Sequence, residues 1–348
     1  MKERIVLFPY TYDSKILYEN RELGKKEIKL LPFKEQKEIV KEDVIEITEV
    51  KQKDSMVICD NIHQFKLEPY IEKIEKCIKN GQMVYVTPLM KRVLQKEFPE
   101  KEVFLNAAQI LEENCIIKKG NLVKKTISVP IITCVGINEN SDKFLMEIET
   151  YKKFTENGCK CSVISSNSLG MILGFHVIPE FMYDEQLNLE QKIFCFNHFV
   201  KSIVDEEEPD VLIIGIPGAI LPMNKYITNH FSEVALAIGN AVEADAAIMT
   251  LNYVKEMNKE FLDELCNLAK YKLNMPIEIF AISSQRISFN SEDRALDVLY
   301  LEKEFVEKEK LQIKDGIEKP IFYVIDQQGR EKGIGYLMNI LSGNIEAI

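Results

Sequence analysis

The chain has 348 residues, long enough for two ordinary domains, and 46% of them are hydrophobic, which is ample for their cores. It carries 44 Lys plus Arg against 55 Asp plus Glu, a net charge of −11 that repels nucleic-acid phosphates and anionic lipid surfaces. Neither is expected as a main partner.

The chain begins MKERIVLFPY, with too short an apolar run for a secretory signal, and no stretch reaches the roughly 18 apolar residues that span a bilayer. A cytoplasmic protein is expected. Eight cysteines are scattered, and Cys59, Cys134 and Cys195 lie in apolar runs that read as core. Only Cys159-Lys160-Cys161 forms a close pair, and no His or second Cys pair follows at ligand spacing. Reduced structural thiols are expected, and no metal site.

In chain order, residues 4–8 (RIVLF), 56–59 (MVIC) and 83–86 (MVYV) are short apolar runs suited to a sheet covered on both faces. Between the last two, Leu67, Ile71, Ile74 and Ile78 repeat at helical spacing, with Pro69 in the first turn and Asn80-Gly81 as the stop. A second helix places Met90, Val93, Leu94 and Phe98 on one side, after Thr87-Pro88 and before Pro99. This alternation predicts a Rossmann-like α/β domain over residues 1–120. FPYTYDSK follows the first strand where a G-x-G-x-x-G would stand, so a nicotinamide oxidoreductase is the weakest functional class.

From about 113 to 128 the chain is polar and lysine-rich, and Lys118, Lys119, Lys124 and Lys125 read as a solvated linker. Beyond it, residues 121–348 are predicted to form a parallel-sheet α/β domain with degenerate P-loop character. Its strands are expected at 130–135, 161–164, 211–214, 246–251, 277–282 and 321–325, with helices between them. One helix carries Phe144, Ile148 and Tyr151 on a face, and another Ile193, Phe196, Val200 and Ile203. The run Asp205 to Glu208 reads as a solvated helix end.

The strand at 130–135 runs into VGINENSDKF, where Gly136 is separated by five residues from Asp142-Lys143 at a helix start. A phosphate loop needs a strand that delivers the chain to a tight turn, inward N–H groups, a helix amino terminus and a lysine. The usual G-x-x-x-x-G-K-[ST] spacing fails here by one residue and by identity. The loop resembles that of dethiobiotin synthetase and its relatives, which place five residues between the first glycine and Gly-Lys. It also resembles the carboxy-terminal domain of a family that includes D-glutamate N-acetyltransferase, whose members carry a Rossmann-like amino-terminal domain. On that alignment Gly136 and Lys143 are retained, Asp142 replaces the second glycine, and Phe144 and Leu145 stand where a metal-binding hydroxyl is expected.

Asp142 changes the chemistry. A carboxylate and a phosphate about 4 Å apart repel by roughly 4 kcal/mol at an effective dielectric near 20. Asp142 is expected to pair with Lys143 or to cap the helix instead. The acid that holds magnesium through water is also missing, because VLII leads into Gly215-Ile216-Pro217-Gly218. Two readings stand level. One is a weakened anion or nucleotide site made of Gly136, Asn138, Asn140, Ser141 and Lys143, with a nucleotide or another phosphate compound as its ligand class; the other is a purely structural relic of such a loop. A tight magnesium-nucleotide site ranks below both.

Other loops supply polar groups at strand ends: Ser165, Ser166 and Asn167; His176, flanked by Phe175 and Val177; Gly215 and Gly218; and Asn224, Lys225, Asn229 and His230, in a stretch read as the start of the next helix. His176 reads as a packing histidine more readily than as an acid or base. In the late polar segment, Arg286 and Arg294 are spaced to clamp a carboxylate or to serve surface ion pairs.

The strings VGINENSDKF, GFHVIPEF, FNHFV, PDVLIIGIPGAI and TNHFSEVALAIGNAV resemble a bacterial family of peptide maturation systems. These systems make small ribosomal, often Cys-rich peptides alongside radical S-adenosylmethionine enzymes. The resemblance implies a cytoplasmic accessory protein whose partner is a precursor peptide or a peptide-modifying enzyme, with self-association left open. It brings no residue-level mechanism. The alternative is a transferase or ligase that uses the Gly136–Lys143 loop for ATP or an acyl coenzyme A.

Overall fold

The computed structural model describes residues 4–33, 50–60, 66–113, 115, 123–139, 141–254, 256–290, 295–308, 312–314 and 318–346. Asn140, Lys118, Lys119 and Arg294 lie outside them. Contacts divide the chain into two units: residues 1–113 with 167–180, and residues 114–166 with 181–348. A single boundary near residue 120 therefore does not capture the excursion at 167–180.

The first unit holds β1 (Arg4–Phe8), α1 (Tyr12–Glu19), β2 (Glu27–Leu30), β3 (Ser55–Ile58), α2 (Glu68–Lys79), β4 (Val84–Val86), α3 (Pro88–Glu97), α4 (Glu102–Ala107) and β5 (Gln109–Ile110). Five parallel strands lie in the order β2-β1-β3-β4-β5, a doubly wound arrangement of the flavodoxin type. The three apolar runs read from sequence are β1, β3 and β4, because each is a continuous stretch buried on both faces. The short strands β2 and β5 and the helix α1 carry weaker patterns and appear only in the structure. Helix α2 starts with Pro69 in its first turn and buries Tyr70, Ile71, Ile74 and Cys77. Against it, Phe8, Phe33 and Tyr70 pack edge to face, with ring centroids 4.9–5.8 Å apart.

The remaining elements, in chain order, are β6 (Ile131–Gly136), α5 (Lys143–Glu156) and β7 (Cys161–Ser165); α6 (Gly170–Leu173) and β8 (His176–Val177), which fall in the excursion; then α7 (Leu189–Glu207), β9 (Val211–Gly215), α8 (Glu233–Ala241), β10 (Ala246–Leu251), β11 (Glu256–Asn258), α9 (Lys259–Leu273), β12 (Ile277–Ile282), β13 (Gln285–Asn290), β14 (Ala295–Tyr300), α10 (Lys303–Lys308), β15 (Gln312–Lys314), β16 (Ile321–Tyr323) and α11 (Gln327–Glu346). Six parallel strands of the second unit lie in the order β16-β12-β10-β6-β9-β7. All six were legible as apolar runs. Strand β6 is central and buried at every residue, so the loop that follows it opens between the ends of β9 and β10.

Two segments differ from the sequence reading. Residues 285–290 and 295–300 pair as antiparallel strands, with Arg286 exposed on β13 opposite Leu299, so Arg286 sits in a strand and not in a loop. The stretch read as a helix start is a left-handed turn, with φ of 50°, 47°, 52° and 62° at Asn229, His230, Phe231 and Ser232, and α8 begins only at Glu233. Both ends of that turn are tied down. Asn229 Nδ2 donates to Leu221 O at 2.6 Å, and Lys272 Nζ donates to Ser232 Oγ at 2.6 Å.

Candidate functional site

Strand β6 ends at Gly136, and the chain turns at once: Ile137 N–H donates to Thr250 O on β10 at 3.0 Å. The turn is filled by its own polar groups. Asn138 Nδ2 donates to Asn252 Oδ1 at 2.7 Å, and Ser141 Oγ lies 2.9 Å from Asn138 O and 2.7 Å from Thr250 Oγ1. A side chain at 136 has no room. A Cβ there would meet Ser141 Oγ at 2.3 Å and Asn138 O at 2.7 Å. Glycine is required by close approach, as in a phosphate loop, yet the group that approaches is the loop's own serine.

Asp142 has a backbone conformation that favours glycine. Its φ of 63° and ψ of 21° are left-handed, a region that aspartate tolerates better than most residues. The expected cap is not made, because Asp142 stands at the N-cap of α5 without a side-chain capping bond. Its carboxylate instead accepts from Ser284 N–H at 3.2 Å and Gln285 Nε2 at 2.8 Å. The loop is thus stitched to the end of β12, and the carboxylate's charge is met by two donors.

Lys143 is 4% exposed, and its ammonium donates to three backbone carbonyls: Asn138 at 3.0 Å, Glu139 at 2.8 Å and Gly218 at 2.7 Å. An ammonium has three protons to donate, so three such bonds engage it heavily. The next residue, Phe144, is a buried core side chain with no oxygen to offer a metal. A magnesium nucleotide does not fit this loop as it stands: the lysine is engaged, and the hydroxyl that would hold the metal is absent from the position after it.

One turn further along α5 stands Glu147, fully buried, which the sequence reading passed over. Its carboxylate accepts from Ser165 Oγ, from Ser166 Oγ and from Ser166 N–H, the last at 3.2 Å to each oxygen. Gly215 at the end of β9 makes this possible, since a Cβ there would lie 1.9 Å from Glu147 Oε1. Burial pushes the Glu147 carboxyl up to about 7, against the hydrogen bonds from Ser165 and Ser166 and the nearby Lys143 charge, all of which favour ionisation. The signal was present. Glu147 falls in the same helical stripe as Phe144, Ile148 and Tyr151, and an acid on an apolar face needs a buried partner.

The structure therefore sorts the expected site residues into groups. Gly136, Asn138, Ser141, Lys143 and Gly218 meet around the lysine, and Ser165, Ser166 and Gly215 meet around Glu147. Asn167 and His176 belong to the first unit. There Asn167 Nδ2 donates to Asp13 Oδ2 at 2.7 Å, and His176 Nδ1 lies 3.0 Å from Glu113 Oε1, which also accepts from Val177 N–H at 3.2 Å. Asn229 and His230 stay in the left-handed turn, and Asn224 Oδ1 accepts from the Tyr226 and Ile227 N–H groups. Burial, with Cys159 and Asp210 nearby, pushes the Cys161 thiol up to about 12. Among the described residues, no group of three or more His, Cys, Asp or Glu side chains could hold a metal ion.

No protein-family model and no curated protein matches the chain. Among solved structures, it is similar to a DUF1611 family protein from Anabaena variabilis at 12% identity, over 98% of this chain and 99% of that one, with a TM-score of 0.61. That likeness is one of fold, and it extends through both units. Looser matches are the signal recognition particle receptor FtsY from Elizabethkingia anophelis (15% identity, 46% of this chain and 52% of that one, TM-score 0.29) and a nucleotide-binding protein in complex with ADP from Archaeoglobus fulgidus (11% identity, 59% and 86%, TM-score 0.29). The fold is mixed α/β, with a Rossmann-like parallel sheet in one unit and a P-loop-like parallel sheet in the other.

Proposed function

We propose that this chain is a cytoplasmic accessory binding protein of a ribosomal peptide maturation system, and that its phosphate-type loop serves as a structural clasp. The engagement of Lys143 carries this reading. Its ammonium donates to two carbonyls of the loop and to Gly218 O, so an anion gains the lysine only by displacing contacts already made. Phe144 after the lysine and the Ser284 and Gln285 bonds to Asp142 favour the same reading. The peptide assignment itself rests on the sequence resemblance and on a net charge of −11, which suits a soluble partner over nucleic acid.

The test has two arms on the full chain. A thermal-shift panel of ATP, GTP and acetyl coenzyme A, with and without magnesium, is expected to leave the melting temperature unchanged at millimolar ligand. Calorimetry with synthetic Cys-rich precursor peptides and with radical S-adenosylmethionine enzymes of such maturation systems is expected to show saturable binding to one of the two. A magnesium-dependent stabilisation of several degrees by ATP would overturn the clasp; silence from both partners would overturn the accessory role.

One observation favours a second reading, an ATP- or acyl-coenzyme-A-dependent transferase. Glu147, near Lys143 and raised to about 7, has the proton affinity that general acid–base chemistry uses. It is fully buried, so turnover requires the loops around it to open.

A further inference from the structure

The Glu147 carboxyl touches three elements of the second unit. It rises from α5, collects the hydroxyls of Ser165 and Ser166 and the N–H of Ser166 after β7, and rests against the Cα of Gly215 at the end of β9. Among the described residues, the titratable groups that bear on it are Lys143 on its own helix and Cys134 on β6, whose thiol is pushed well up by burial and by the Glu147 charge. Cys134 therefore stays neutral, and Lys143 is the only counter-charge of the pair. Lys143 in turn holds the Gly218 carbonyl three residues beyond Gly215.

We propose that Glu147 is a proton-linked latch: while protonated it holds the loops after β7 and β9 closed on the start of α5, and on ionisation those loops release.

The balance follows from the groups in contact. A protonated carboxyl can donate its O–H to one serine oxygen and accept on the other side, since both serine hydroxyls rotate. Every group is then satisfied without net charge. An ionised carboxylate keeps its three donors but loses its hydration, and the contact with Gly215 leaves no space for water on that side. Opening exposes the carboxylate to water, where its proton affinity is ordinary. The closed form therefore binds the proton more tightly than the open form, in line with the raised value of about 7. Raising the pH draws the loops open, and Lys143 loses its hold on Gly218 as they part.

Hydrogen exchange on the full chain reads this directly. The Ser166 amide, corrected for its intrinsic rate at each pH, is expected to lose protection about ten-fold per pH unit between about pH 5 and pH 7, and to level off above. Glu147→Gln, a neutral isostere, is expected to show a flat profile. Ser166→Ala, which removes one donor to the ionised form, is expected to extend the falling range to higher pH. The infrared carbonyl band of a protonated buried carboxyl is expected in the wild type at low pH, to vanish as pH rises through about 7, and to be absent from Glu147→Gln. Flat protection in the wild type overturns the latch, as does an unchanged pH slope in Glu147→Gln. If that variant does not fold, the wild-type band and the Ser166→Ala profile decide: a missing band or an unmoved profile overturns it.

Discussion

The Lys143 ammonium lies 2.7 Å from the Gly218 carbonyl oxygen, across 75 residues of chain. This bond joins the loop after the central strand to the loop after its neighbour. A lysine placed to meet phosphate in a nucleotide hydrolase here closes two protein loops on each other.

Lys143→Met keeps the aliphatic stem and removes the charge and the donors. Three carbonyls lose a donor, although Asn138 O keeps Ser141 Oγ, so the variant is expected to be less stable by about 3 kcal/mol in urea unfolding, at roughly 1 kcal/mol for each bond. A loss below about 0.5 kcal/mol would show the clasp to be dispensable.

Gly215→Ala forces a methyl group into Glu147, 1.9 Å from Oε1. Destabilisation of about 2 kcal/mol or more is expected, since neither the helix nor the strand end can move freely. Combining it with Glu147→Ala, which removes the nearer obstacle and leaves the Ser166 nitrogen at 2.6 Å, is expected to cost clearly less than the sum of the two single changes. Strict additivity in that double-mutant cycle would disprove the contact.

Asp142 tests the left-handed start of α5. Asp142→Gly loses the bonds to Ser284 and Gln285 but relaxes the backbone, whereas Asp142→Ala loses them and keeps the strain. Alanine is expected to be the less stable of the two by about 1 kcal/mol. Equal melting temperatures would show that the backbone at 142 is not strained.

The pH dependence of stability follows from Glu147. Its folded value of about 7 lies above its ordinary 4.5, so below about 4.5 folded and unfolded chains are both protonated and its contribution is full. Between 4.5 and 7 the unfolded chain ionises first, and the contribution falls as pH rises, by about 3 kcal/mol in total at 1.36 kcal/mol per unit. Above about 7 it is flat. Subtracting the Glu147→Gln unfolding free energy at each pH isolates this group; a difference that rises with pH across that window contradicts the assignment.

The sequence by itself determined the local part of this protein. The apolar runs that became β1, β3, β4 and the six parallel strands of the second unit are continuous in the chain, and so are the helical stripes that became α2 and α3. Gly136 and Lys143 were legible for the same reason, because a strand, a turn and a helix start lie within one short segment. The paired strands 285–290 and 295–300 were not, although Arg286 to Asn290 alternate polar and apolar strictly, because the polar residues of the segment read as loop groups and not as the outward face of a strand. The short excursion at 167–180 also escaped, because no composition shift marks it.

Tertiary structure alone decided what the loop does. Asp142 could be read as a cap or as a partner of Lys143, and the fold instead gives it Ser284 and Gln285, 142 and 143 residues away. Glu147 stood on an apolar stripe with no visible partner until β7 and β9 brought Ser165, Ser166 and Gly215 to it. Hydrophobic periodicity reports which face of an element is buried, but a buried charge must be met by particular donors. Which donors are within 3 Å depends on strand order, and strand order is set by packing between segments far apart in the chain.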